Sequence, residues 1–180
     1  SVAAEGLMVD ELDPAAHWAL GRALWLQDRQ DEALRELDAS IDLSPNFALG
    51  HYTLAFVHSQ SGDPALAIAE ADSARALSPM DPLLFGMLAS RAMALLRLGR
   101  FDEAADWAVR SAARPNAHVH IRPMSMFCLA LAGRKREAQE VATAIHRTHS
   151  GYGLDDFGRA FRLGQELERL MRQAAAVVDV

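Results

Sequence analysis

Residues 62–79 read GDPALAIAEADSARALSP, a breaker pair, a row of alanines and a closing proline with no obvious catalytic group among them. Ala67, Ala71 and Ala74 are four and three residues apart, so on a helix they share one face. Small side chains there let a neighbouring helix approach closely, whereas larger ones would splay the pair. Asp63 followed by Pro64 suits an N-cap with proline in the first turn, and Pro79 ends the helix.

The stretch recurs along the chain. Leu20 returns as Leu54, Ala33 as Ala67 and Pro45 as Pro79, each 34 residues later. Beyond Gly62 the equivalents are Gly99 and Gly133, while Ala71 is followed by Ala108 and Ala142, so the steps are 37 and then 34. The connection through SPMDPLLF therefore carries three extra residues. Four units result, about 14–47, 48–81, 85–118 and 119–152. Within each, apolar residues recur at helical spacing in two blocks separated by a short break, which predicts a helical hairpin. Glycine at the break supplies the left-handed conformation that closes the first helix. In the fourth unit Pro123 stands inside the first block, so that helix starts late or bends. After Gly151-Tyr152-Gly153 an amphipathic element over about 154–176 predicts one capping helix, with Phe157, Phe161, Leu167 and Leu170 on its apolar stripe and Arg159, Arg162, Glu166 and Arg169 on its wet side.

Composition bounds the function. The 180 residues are 51% hydrophobic with a net charge of −6, from 18 Lys+Arg against 24 Asp+Glu, which suits a folded chain and argues against a phosphate-backbone binder. No apolar run approaches a membrane span, and the start, SVAAEGLMVDELDP, has no basic segment leading into an apolar one, so neither a membrane nor a signal peptide is expected. That start also lacks an initiator Met, which points to an excised or processed chain. Cys128 is alone, excluding an internal disulfide framework and a cysteine zinc site, and fits a cytoplasmic location.

No catalytic, cofactor or metal site is expected. The pairs His118/His120 and His146/His149 bring no Asp, Glu or Cys at helical ligand spacing, and His17, His51 and His58 occupy repeat positions suited to hairpin packing. Asp156-Phe157-Gly158 copies a kinase tripeptide without the surrounding loops. Arg134-Lys135-Arg136 opens a predicted helix and is followed by Glu137, a solvated helix start.

The period, the breaks and the small positions resemble the tetratricopeptide repeat (TPR) family, carried by His17, Leu20-Gly21, Leu24, Asp28, Ala33, Leu37, Ser40 and Pro45 in the first unit and by His51, Leu54-Ala55, His58, Gly62, Ala67, Ala71, Ala74 and Pro79 in the second. The resemblance implies an all-α, right-handed superhelix of four hairpins plus the cap, a single domain over 1–180. It also implies a non-catalytic module that binds a protein or peptide on the concave face lined by the first helices. On that face Trp18, Arg22, Trp25, Tyr52, Phe56, Met93 and Phe127 are the expected partner contacts, since aromatics and Arg dominate binding hot spots. The competing reading places Trp18, Trp25 and Phe56 between hairpins or beneath a C-terminal segment folded back over them. The family's carboxylate clamp of Lys, Asn and Arg is missing, because Trp18, Arg22, Thr53, Gly86 and Ser90 stand at those places. More narrowly, residues 77–116 and LDDFGRAF at 154–161 resemble the C-terminal TPR region of bacterial multidomain regulators that carry a winged-helix domain or a class III nucleotide cyclase. The alternative function is homodimerisation through the end helix or an exposed hairpin face.

Overall fold

The computed structural model describes residues 12–178, and among them ten helices and no strand are found. They pair as α1 (Pro14–Leu26) with α2 (Gln30–Leu43), α3 (Ala48–Gln60) with α4 (Pro64–Leu77), α5 (Leu84–Arg97) with α6 (Phe101–Ala112), and α7 (Ile121–Leu131) with α8 (Lys135–Thr148). Two further helices close the chain, α9 (Leu154–Ala160) and α10 (Gln165–Val178).

The turns follow from local chemistry. Asp63 caps α4 by accepting from the Ala65 and Leu66 N–H groups, with Pro64 in the first turn. Gly99 and Gly133 have φ of +72° and +75°, as a left-handed closure requires, and Asp28 makes the same turn at +61° without glycine. Gly62 has no positive φ and is needed for another reason. The His58 Nδ1 accepts the Asp63 N–H at 3.1 Å, and a Cβ at Gly62 would run into that imidazole. In the fourth unit α7 starts late, at Ile121, which leaves Pro123 in the first turn where its missing N–H costs nothing. The three extra residues before α5 are held by Asp81, which accepts from the Leu83 N–H at 2.8 Å and the Ser78 hydroxyl at 2.9 Å.

Ala67, Ala71 and Ala74 are buried, as are the corresponding Ala33, Leu37 and Ser40, then Ala104, Ala108 and Ser111, then Ala138, Ala142 and Ile145. The close approach they permit is measured by Gly21, where an added Cβ would lie 2.7 Å from the Leu37 Cγ. The first two hairpins are also stapled by one polar pair repeated with the period. His17 meets Glu36 at 2.7 Å and His51 meets Glu70 at 2.5 Å through the imidazole Nδ1.

Successive hairpins stack so that α1, α3, α5 and α7 approach one another along one side, while α2, α4, α6 and α8 stay apart. The odd helices are therefore the inner row of a curved stack. α10 lands on that inner side, against α7, with lesser contact to α8 and α5. The single capping helix expected over 154–176 is two helices, separated by an extended strap over 161–164 in which Phe161 has φ −128° and ψ 144°. Among the described residues no helix is long and apolar enough to cross a membrane.

Candidate functional site

The inner row builds its surface from α1, α3 and α5. Trp25 of α1 packs edge-on against Phe56 of α3 with ring centroids 5.3 Å apart, and Tyr52 lies 6.5 Å from Phe56. Gly86 on α5 admits the Tyr52 ring, because a Cβ there would collide with its hydroxyl. Burial raises the Tyr52 phenol above its ordinary value, opposed by the nearby Arg22 cation, so the group stays a neutral hydroxyl. Beyond Tyr52 and Phe56 opens a cavity of about 380 Å³, walled further by Phe85, Ala89, Met93 and Ile121 and closed at one end by Phe161 of the strap. His120 stands at its edge. Its Nδ1 lies 2.7 Å from the Tyr152 hydroxyl, its ring stacks at 5.2 Å on His118, and burial lowers its pKa. An apolar volume bounded by four aromatic rings and two imidazoles, those of His118 and His120, can take one bulky side chain of a partner.

The seven expected contacts do not share one open surface. Tyr52 and Phe56 line the cavity, and Met93 forms its floor at only 1% exposure. Trp18 points between the first two hairpins, where its indole N–H donates to the Thr53 hydroxyl at 2.9 Å and its ring meets Phe47 edge-on at 6.3 Å. Arg22 lies over that indole at 5.0 Å and is exposed. Trp25 is covered by the Arg162 guanidinium at 5.3 Å. Phe127 is a correction to the expectation of a partner contact. It is fully buried, packed edge-on at 5.1 Å against Phe157 of α9, because the C-terminal segment occupies the inner face of α7.

The strap is fixed by main-chain and charged contacts. Gln60, fully buried at the end of α3, accepts the Arg162 N–H on its side-chain oxygen at 2.7 Å and the Gly164 N–H on its carbonyl at 3.0 Å. The Arg162 guanidinium donates to the Leu26 carbonyl at 2.6 Å and to the Asp28 carboxylate. Arg97 donates to the His58 carbonyl at 2.8 Å and to Glu166 of α10 at 3.1 Å. The carbonyls used are those left over in the last turns of α1 and α3, where the helix dipole is negative and cations are favoured. Sequence reasoning placed Arg162 on the wet side and Phe161 on the apolar stripe of one continuous helix, and did not single out Gln60 or Arg97. The only local signal was the pair Gly158 and Gly164 inside a predicted helix, each of which costs a helix about 1 kcal/mol.

Elsewhere, Trp107 on α6 has three guanidinium carbons near its ring, those of Arg75, Arg91 and Arg110 at 4.9, 4.7 and 5.0 Å. Asp72 pairs with both Arg75 and Arg91. Among the described residues no three His, Cys, Asp or Glu side chains converge as a metal site.

Comparison with known proteins bears on this geometry. The family model described as tetratricopeptide repeat matches residues 14–39 and 88–110. No curated protein matches the chain significantly. Among solved structures, YrrB, a TPR protein with an unusual peptide-binding site, aligns with a TM-score of 0.67 at 15% identity, covering 98% of this chain and 92% of its own. PilW, a type IV pilus biogenesis factor, aligns with a TM-score of 0.72 at 19% identity over 97% of this chain and 82% of its own.

Proposed function

We propose that this chain is a tetratricopeptide-repeat protein and a non-catalytic module that docks an apolar segment of a partner protein on its concave face, as the regulatory part of a larger cytoplasmic regulator. The observation that carries the reading is the 380 Å³ cavity, to which three successive inner helices contribute Tyr52 and Phe56 from α3, Phe85, Ala89 and Met93 from α5, and Ile121 from α7. The peptide-binding site of the structurally similar YrrB supports a peptide-docking role for such a fold. Against catalysis, Cys128 is fully buried and its thiol is pushed up to about 12 by that burial, so it supplies no thiolate. A cytoplasmic setting is supported only by the single, buried cysteine.

The alternative, self-association through the end helix, has less to work with. Leu167, Leu170, Met171 and Ala174 of α10 are already buried within their own chain.

The test is selection of displayed random peptides on the wild-type domain, followed by affinities for the Phe56→Ala and Ala89→Leu variants. A hot-spot aromatic predicts a loss of about 2 kcal/mol, or roughly thirtyfold, for Phe56→Ala. Ala89→Leu fills the cavity without removing an aromatic and should abolish the same peptides. Peptides indifferent to both substitutions would remove the cavity from the site.

A further inference from the structure

We propose that the end of the groove beside the cavity is an arginine-reading subsite for an extended partner segment containing an aromatic residue followed by arginine, and that Phe161-Arg162 of the chain itself is its resident competitor. This rests on the reading of the concave face as a docking surface and adds what the partner must carry.

Several independent features converge on one guanidinium. Trp25 offers an indole face at 5.3 Å, Asp28 offers a carboxylate, and the Leu26 carbonyl accepts at 2.6 Å. The two acceptors flank the C-terminal end of α1, whose dipole adds negative potential. A flat, delocalised cation with a fork of donors satisfies the indole, the carboxylate and the carbonyl together, and the compact ammonium of lysine does not. Asp28 holds its place by adopting φ +61°, so the acidic group stands at the very turn that closes α1.

The main chain of the occupant is read as well. Gln60 accepts the N–H groups of residues 162 and 164, the alternate-residue pattern by which an extended peptide is gripped. Neither bond uses a side chain of the strap, so any extended segment can make it. Phe161 closes the cavity end and stands edge-on to His120 at 6.2 Å, which fixes the aromatic one residue before the arginine. In the Arg162–Asp28 pair the carboxylate is largely solvent-facing, at 85% side-chain exposure against 37% for Arg162, so the ion pair itself is screened and adds little to the hold on the strap.

The test uses the full chain and a fluorescent synthetic peptide of the sequence FGRAFRLGQE, residues 157–166. Arg162→Ala should bind this peptide at least about tenfold more tightly than wild type, since the resident guanidinium no longer competes. A peptide with alanine in place of its second arginine should bind Arg162→Ala about tenfold more weakly than the parent peptide. Adding Asp28→Asn, which keeps a residue tolerant of the left-handed turn, should narrow the difference between the two peptides, with the indole and the Leu26 carbonyl retaining the remainder. As a measure that does not depend on added peptide, amide exchange at 162 and 164 in the Asp28→Asn single variant should quicken while exchange in α3 stays unchanged.

Equal affinity of the two peptides for Arg162→Ala, or no binding to a variant with unaltered helical circular dichroism, would overturn the subsite. Wild-type chains that dimerise with strap amides protected only in the dimer would give the subsite to a second copy and overturn the partner assignment. Binding of the arginine peptide that survives Ala89→Leu would keep the subsite while refuting the cavity, so the two readings fail separately.

Discussion

Replacing Phe157 with alanine tests whether the C-terminal segment belongs to the folded stack. Phe157 is fully buried, edge-on to Phe127 at 5.1 Å and tilted against Phe161 at 4.7 Å. Truncating a buried phenylalanine costs about 3–5 kcal/mol through lost transfer energy and the cavity left behind. For a chain of this size that corresponds to a fall in Tm of about 6–20 °C, at roughly 2–4 °C per kcal/mol. The loss has a ceiling. Once it exceeds the free energy that seats α9 and α10, they detach and further destabilisation is no longer felt by the stack. Detachment would expose the inner face of α7 and reduce the surface released on unfolding, so the denaturant m-value would fall along with the midpoint. The assay is thermal and urea unfolding, each followed by circular dichroism, with Phe161→Ala as the comparison because Phe161 is only half-buried and should cost less. A fall in Tm below about 2 °C, with an unchanged m-value, would refute the seating of Phe157 against Phe127 and return Phe127 to the open surface.

Three further outcomes are expected. Trp107→Ala removes the ring shared by Arg75, Arg91 and Arg110 and should lower stability by about 2 kcal/mol or more in urea titration, since each partly exposed cation–π contact is worth about 0.5–1 kcal/mol. Burial lowers the pKa of His58 from the ordinary 6.5, and its Nδ1 accepts the Asp63 N–H, so the folded chain resists a proton that the unfolded chain takes. The contribution of His58 is therefore present above 6.5 and is lost as pH falls through its depressed folded value, and the difference between wild type and His58→Gln in midpoint should shrink over that window. Cys128 should react with a chromogenic disulfide reagent only at the rate of unfolding, which added urea will show by matching labelling to the loss of helical signal.

The hairpins were legible because their determinants are local. A row of small residues at helical spacing, a breaker and a proline each act within one or two turns, and Ala67, Ala71 and Ala74 are buried for the reason their spacing implies. Gly62 was legible in place and misread in cause, since the demand on it is the neighbouring His58 ring and not its own φ. The site was less legible. Tyr52 and Phe56 line the cavity, but Trp18 is turned toward Thr53 and Phe127 lies under α9, differences set by a rotation of the helix face and by a segment folding back. Arg162 touches Leu26 and Asp28 across 136 and 134 residues, and no pattern near residue 162 encodes where the solenoid will bring those partners.

That long-range tie changes how the stack behaves. In a repeat array each unit touches only its neighbours, so the ends fray independently and the curvature is the sum of small local angles. Here α10 packs on the last hairpin while Arg162 and Gly164 hold the closing turns of the first two, so the C-terminal segment spans the inner face from one end toward the other. The groove's width is thereby coupled to the strap. Opening the first hairpin away from the fourth must break the contacts of Arg162, and a ligand that displaces Arg162 removes the restraint on that opening. If a partner displaces Arg162 as proposed, occupancy of the groove and the curvature of the superhelix become one equilibrium. A module built this way can report binding at its concave face as a change in the relative position of its two ends, with no catalytic group required.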